Sequence, residues 1–316
     1  MTYISKALAL FTGTVLLGAA SGAWAGALES SLDDTLTTTA SVAALNETIP
    51  AKPRVVSLDH CSDQYVLALA DRSQILALSP AAQHEYSYMR AKAIGVPTVR
   101  STAEEVLMLR PDKVVRQWGG GYEATGVLTR FGLPVVKIEN GHSMEIMRNN
   151  LIIAGKALGQ MERAQVLIDD FDARLARLKK FGATNRPAAI YITPSSSTTG
   201  GETYVDQLLN LGGVENLMAH TGRTGWIPLN LEALALSPPD LVVTGYFDLK
   251  TNHQNHWSIA RHSFLRKILK NTPTVHIPSD ELSCSAWFNL FAAERILDAR
   301  QKLLAPSNEG RADDRQ

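Results

Sequence analysis

The sequence has no charge of one sign to spare. Its 316 residues carry 31 basic and 31 acidic side chains, a formal net charge of zero. Proteins that neutralise nucleic-acid phosphates carry a basic excess, so no nucleic-acid partner is expected. Cysteine is scarce, with only Cys61 and Cys284, and aromatic residues make up 7%. After residue 25 no apolar run approaches the ~20 residues of a membrane-spanning helix. Catalytic spacings are missing as well. The stretch "PSSSTTGG" lacks the Gly-Lys-Ser/Thr ending of a P-loop, and neither G-x-S-x-G nor H-E-x-x-H occurs. The expectation is therefore a protein that is not an enzyme. The alternative is a secreted enzyme or redox protein using Cys61 with His60, although adjacency in sequence does not make a nucleophile–base pair.

What is present begins with the leader. After Lys6 comes "ALALFTGTVLLGAASGAWA", ending on small residues at the two positions a signal peptidase inspects. Its apolar part is short and rich in Gly, Ser and Thr, which fits a cleaved secretory signal over residues 1–25. No cysteine lies near that site to carry a lipid, so the mature chain is expected free in the periplasm. Residues 26–51 and 305–316 are polar, without sustained period, and read as a flexible leader and a disordered tail.

Between them, strand and helix patterns alternate. "RVVSL", "QILALS", "DKVVRQ" and "PVVKIE" are short β-branched runs, with helical stretches at 101–110 and 122–131. That spacing implies βαβ units and a mainly parallel sheet. A stretch without proline then runs over 143–181, and "MERAQVLIDDFDARLARLKKF" is long enough for a rod of ~30 Å. Alternation resumes with "AAIYIT", a Ser/Thr/Gly loop, the helices "TYVDQLLNLGG" and 231–237, then "DLVVTG", "TVHIP" and a last helix over about 287–304. The halves echo each other. "SDQYVLAL" is answered by "VDQLLNLG", and "EEVLMLRPDKVV" (104–115) by "EALALSPPDLVV" (232–243). The expected fold class is α/β: two Rossmann-like lobes, 52–142 and 182–304, joined through 143–181 by one long helix, with a ligand cleft between them.

The order and spacing of "PRVVSLDHCSDQ", "EEVLMLRPDKVV", "WGGGYEATGVLTRFGLPVVKI", "TYVDQLLNLGGVENL" and "LEALALSPPDLVVTG" resemble the periplasmic substrate-binding proteins of ABC importers for ferric siderophores, haem and cobalamin. The resemblance covers essentially all of 52–304. It implies a monomer without an intrinsic cofactor. Such a protein captures an iron or cobalt chelate and hands it to the transmembrane subunits at the inner membrane. A ferric siderophore is favoured, then a corrinoid, then haem. The resemblance also implies that one exposed glutamate per lobe, Glu104 and Glu232, docks against arginines of those subunits. Read without it, both sit in first turns of helices capped by Thr102 and Asn230, with "T-A-E-E" a capping-box pattern, and complement the helix dipole.

Ligands of open parallel sheets bind beyond the carboxyl ends of the strands. The residues there are His60 after the first strand, Tyr86 and Tyr88 after the second, and Arg116, Trp118 and Tyr122 around the third. Tyr246, Trp257 and Trp287 follow in the second half. Flat apolar faces with a polar tip suit a large ring-bearing ligand, and the triple glycine beside Trp118 would let the backbone approach it. Each aromatic could equally be a rim residue over the core. Arg116 suits an acidic ligand group or a structural ion pair. His60 could ligate iron or cobalt, or simply line the cleft, and no dedicated metal site is expected. Cys61 and Cys284 are open to three readings: a disulfide, separate thiols, or soft metal ligands.

Overall fold

A computed structural model describes residues 52–181, 185–250 and 262–305. The readings of the signal peptide, the leader and Trp257 lie outside these residues, as does nearly all of the tail.

The N-terminal half builds a four-stranded parallel sheet from β1 (Val55–Ser57), β2 (Ile75–Ala77), β3 (Lys113–Arg116) and β4 (Val135–Lys137), in the order β2-β1-β3-β4. Its helices are α1 (His60–Leu69), α2 (Arg90–Ala93), α3 (Ala103–Met108) and α4 (Tyr122–Arg130). Two helices follow, α5 (Met144–Leu158) and the 21-residue α6 (Met161–Phe181). The second half contributes β5 (Ala188–Ile192), β6 (Ser197–Thr199), α7 (Tyr204–Leu211), β7 (Glu215–Asn216), β8 (Trp226–Pro228), α8 (Leu231–Leu236), β9 (Leu241–Gly245), α9 (Ser263–Asn271), β10 (Thr274–Ile277) and α10 (Asn289–Leu304). Its main sheet is also parallel, in the order β10-β9-β5-β7. Two parallel α/β lobes joined by a long helix are what the alternation predicts.

Why these runs become central strands is visible in their burial. Val55 and Val115 enter one apolar cluster while their neighbours Val56 and Val114 enter another. Ala189 and Tyr191 alternate in the same way with Ile190 and Ile192. Both faces of each sheet are covered, so the strands read as unbroken apolar runs. The cluster on the inner faces is continuous from Val55 through Leu151, Ile168 and Phe171 to Tyr191 and Phe288. The α6 rod thus lies in the core of both halves. Ion pairs of Arg174 and Arg177 with Glu294 fasten α6 to α10.

The structure corrects one segment. The Ser/Thr/Gly stretch after β5 is not simply a loop: Ser197–Thr199 pairs antiparallel with Trp226–Pro228. The first of these strands is polar, and its position is supported by Asn216, whose amide donates to the carbonyls of Thr199 and Gly200. The stretch after β10 also departs from a simple lobe. Residues 278–288 reach the N-terminal sheet, where Ser285 Oγ donates to the Gly141 carbonyl and Arg90 pairs with Asp280.

Candidate functional site

On the N-terminal sheet the site is organised by Asp59. Its Oδ1 accepts from the backbone of Cys61 (3.0 Å) and Ser62 (2.9 Å), starting α1, while Oδ2 accepts from Gln117 N (2.7 Å). One carboxylate therefore ties the end of β1 to the end of β3. Burial raises its pKa, with the three backbone donors opposing the rise. Beside it lies the triple glycine. A Cβ on Gly120 would stand 2.2 Å from the Leu58 carbonyl, and one on Gly121 (φ +63°) 2.5 Å from Leu58 Cδ1. Two of the three glycines let this loop pack against Leu58, just beyond β1.

That tight loop leaves Trp118 65% and Tyr122 80% exposed, both with open faces. Arg116 lies beneath, only 9% exposed, its guanidinium 5.4 Å from the centroid of Tyr122. Its Nε has no hydrogen-bond partner, and no carboxylate pairs with the group among the described residues. Among the described residues Arg116 therefore makes no ion pair. His60 is half-buried, edge-on to Tyr86 (5.4 Å between centroids), which in turn lies 5.1 Å from His84. Burial raises the Tyr86 phenol, so it is a neutral donor at pH 7.

On the second sheet, Tyr246 follows β9 with φ +65°, a left-handed backbone uncommon for so bulky a residue. It is held there on two sides. Gly245 has no Cβ because one would meet Tyr191 Oη at 2.1 Å, and Tyr246 Oη donates to the Leu282 carbonyl (2.7 Å). The phenols of Tyr191, Tyr204 and Tyr246 are all pushed up by burial, which keeps them protonated. Tyr246 opens onto a cavity of ≈ 380 Å³ shared with Thr193, Ser195, Ser197, Trp226 and Leu249. Trp226 was missed from sequence. It sits in the three-residue strand β8, where only its size and isolation in "TGWIP" could have flagged it.

Two aromatics expected at the ligand are engaged in packing. Trp287 is 8% exposed, edge-on to Tyr65 (5.0 Å) and Phe288 (5.1 Å). Tyr88 stacks on Phe288 (4.3 Å) against α10. Both are drawn by apolar burial into the junction that residues 278–288 make with the N-terminal half.

The same junction decides the cysteines. Cys61 and Cys284 form a disulfide, Cα to Cα 5.5 Å, leaving no free cysteine. A nucleophilic Cys61 is thus overturned: its sulfur has no thiol to activate. His60 Nε2 lies 3.3 Å from Cys61 Sγ and 3.4 Å from the Ser283 carbonyl.

Glu104 and Glu232 stand exposed in the first turns of α3 and α8. Asn230 caps α8 through its carbonyl oxygen, 3.0 Å from Glu232 N. The capping box at α3 is half made. Thr102 accepts from Glu105 N, but the Glu105 carboxylate turns to Arg100, taking both its backbone N (3.0 Å) and its guanidinium. Glu104 and Glu232 have no ion-pair partner among the described residues. One turn further on, Met108 (82%) and Leu236 (86%) are exposed at matching positions.

Among the described residues no helix is long and apolar enough to cross a membrane. The sequence profile of the family described as periplasmic binding protein matches residues 55–272. Solved structures with the same fold include the periplasmic haem-binding protein HutB of Vibrio cholerae. It is 19% identical at TM-score 0.64, over 78% of this chain and 97% of that one. A periplasmic haem-binding protein from Pseudomonas aeruginosa is 23% identical at TM-score 0.61, over 79% and 92%. The vitamin B12 binding protein BtuF of Vibrio cholerae is 15% identical at TM-score 0.62, over 79% and 97%. At these identities the structures speak for the fold, and the profile, spanning more than half of the sequence, speaks for the family: the chain belongs to the periplasmic binding proteins.

Proposed function

We propose that this chain is the periplasmic solute-binding component of an ABC importer and carries an anionic metal chelate. The observation that carries the reading is Arg116. Arg116 is 9% exposed, its Nε is buried without a partner, it pairs with no carboxylate among the described residues and it lies beneath one aromatic face, an arrangement that is costly unless an anion joins it. Carboxylate or catecholate oxygens fit its planar fork. Trp118 and Tyr122 above it, with Trp226 and Tyr246 on the second sheet, offer the flat faces a ring-bearing chelate needs. His60 and Tyr86 complete the set at the end of β1. An anion-selecting site keeps a ferric siderophore first and moves haem, with its carboxylates, ahead of a corrinoid, whose rim is mostly amides. The solved haem- and vitamin B12-binding relatives in fold support the ligand class. No bond is made or broken in this role.

Titration of the purified protein with ferric catecholates, haemin and hydroxocobalamin tests the proposal, read by tryptophan fluorescence and visible spectra. Saturable micromolar or tighter binding of an anionic chelate is expected. Failure of all three classes to bind sinks the reading.

Delivery needs a docking surface, and Glu104 and Glu232 with their apolar companions Met108 and Leu236 are the residues assigned to it. The partner is the pair of transmembrane subunits at the inner membrane, met by one monomeric chain exported with a cleaved leader. Glu104→Lys with Glu232→Lys should abolish uptake in cells and leave chelate affinity unchanged. Lost affinity with retained uptake would reverse the assignment.

A further inference from the structure

The junction at His60 holds two sulfurs that the binding role does not use. His60 Nε2, Cys61 Sγ and Cys284 Sγ all lie within 4.8 Å of one another. They come from two distant parts of the chain, 223 residues apart. The imidazole edge is 3.3 Å from Cys61 Sγ, and the Ser283 carbonyl oxygen is 3.4 Å from Nε2 and 3.8 Å from that sulfur. An ordinary buried disulfide has no need of an imidazole nitrogen and a carbonyl oxygen converging on one of its sulfurs. The ring is kept in place by its edge contact with Tyr86.

We infer that reduction of the Cys61–Cys284 disulfide turns this junction into a site for one soft or borderline metal ion, of the zinc or copper(I) class, held by His60, Cys61 and Cys284. In the first step a dithiol reductant transfers two electrons and two protons. The S–S bond breaks, two thiols form, and the reductant leaves as its own disulfide. In the second the ion binds both sulfurs as thiolates, releasing two protons, and takes the lone pair of neutral His60 Nε2. The geometry suits it. In a tetrahedron with Zn–S ≈ 2.3 Å and Zn–N ≈ 2.0 Å, nitrogen and sulfur stand about 3.5 Å apart and two sulfurs about 3.8 Å. The first separation nearly exists already at 3.3 Å. The second is within reach of side-chain rotation from a Cα separation of 5.5 Å. The fourth position falls to the Ser283 carbonyl or to a water from the half-open His60 side. Two thiolates with an imidazole disfavour magnesium and calcium, which take oxygen donors. A bound ion would join the same two segments that the disulfide joins, so the junction between residues 278–288 and the N-terminal sheet survives a change of redox state.

The inference stands apart from the chelate reading, and its test needs no chelate. The protein is reduced with a water-soluble phosphine, which with one water yields the phosphine oxide and two thiols. It is then titrated with cobalt(II) as a spectroscopic probe and back-titrated with zinc(II). One equivalent per chain is expected, with thiolate-to-cobalt charge transfer in the near ultraviolet and the visible bands of a tetrahedral ion. Zinc should bleach both. His60→Ala should weaken the site by at least about tenfold, since even outer-shell losses cost that much. Cys61→Ser with Cys284→Ser should remove it, and oxidised protein should stay silent. Silence of the reduced protein overturns the proposal, as do bands that persist in the double serine variant or binding indifferent to His60→Ala. Should reduction unfold the chain, zinc must restore native circular dichroism, and failure to do so overturns it equally.

Discussion

Arg116 makes two claims that can be separated by one substitution. Arg116→Met keeps an unbranched stem of similar length in the same slot and removes the charge. In the ligand-free protein the guanidinium contributes its attraction to the Tyr122 ring, about 0.5–2 kcal/mol. Against this stands the cost of burying Nε without a partner, about 1–3 kcal/mol. The penalty is the larger, so the variant should be more stable without ligand by about 1 kcal/mol. Affinity should move the other way. Hydrogen bonds to charged groups contribute ≈ 1.5–3 kcal/mol, which corresponds to roughly a 10- to 150-fold weaker Kd for an anionic chelate. Urea denaturation of the ligand-free protein gives the first quantity and fluorescence titration the second. Arg116→Lys retains the charge without the fork and should fall between wild type and Met in affinity. A Met variant that is less stable and binds the chelate as tightly as wild type would refute the reasoning, because Arg116 would then be a packing residue.

Other perturbations test the framework around it. Asp63 is fully buried and accepts from Ser79 N (3.1 Å) and Ser79 Oγ (2.5 Å), yet desolvation pushes its carboxyl from 3.8 up to about 7. Because the folded pKa is the higher one, its contribution to stability is complete below pH ~4 and lost as pH rises to about 7, by up to on the order of 4 kcal/mol. Asp63→Asn should therefore become relatively more stable across that window in urea titrations, and a pH-independent difference would contradict this. Cys61→Ser with Cys284→Ser opens a loop of 223 residues. The chain-entropy account gives a loss of roughly 5 kcal/mol, with measured losses often smaller, so an unchanged urea midpoint would show the bridge to be idle. Gly120→Ala, with its Cβ 2.2 Å from the Leu58 carbonyl, should cost about 1–3 kcal/mol and weaken chelate binding by displacing Trp118. Full retention of both properties would mean that the loop is not the scaffold of the site.

How much of this was legible before the structure depends on which force sets each residue. Strands such as "KVVR" and "LVVTG" are set by apolar burial on both faces, a local signal, and they lie where the pattern puts them. The pair β6–β8 joins two three-residue strands, Ser-Thr-Thr and Trp-Ile-Pro, too short to leave a periodic trace, so β6 reads as a loop and Trp226 goes unnoticed. Trp287 and Tyr88 are a different case. The rule that strand ends face the ligand is sound for one sheet, but residues 278–288 fold back onto the other lobe, where Trp287 is buried and Tyr88 stacks half-buried on Phe288. That return path is a contact between distant parts of the chain, invisible to spacing. For Arg116 the sequence left an acidic ligand group and a structural ion pair open, and the proposal of an anion rests on the carboxylate it does not meet among the described residues. With the cysteines, sequence left three readings open, and 5.5 Å between Cα atoms selects among them.

The two echoing segments can be weighed in the same way. Most of "EEVLMLRPDKVV" is architecture: Val106 packs in the core, Asp112 Oδ2 accepts from Arg54 N (2.7 Å), and Val114 and Val115 fill the sheet. A first-turn acid contributes 0.3–1 kcal/mol through the helix dipole, and for α8 Glu232 is the only acid in place to do so. For α3 the same need is already met by Glu105, which Arg100 fixes near the helix start. Glu104 is then surplus to the helix, exposed and unpaired. The dipole therefore explains one glutamate of the pair and leaves the other without a task. A docking role covers both, and it also accounts for Met108 and Leu236, large apolar side chains left in water one turn beyond each carboxylate. A partner that meets the same acid-plus-apolar pattern on both lobes must itself present two like surfaces, as a pair of transmembrane subunits does.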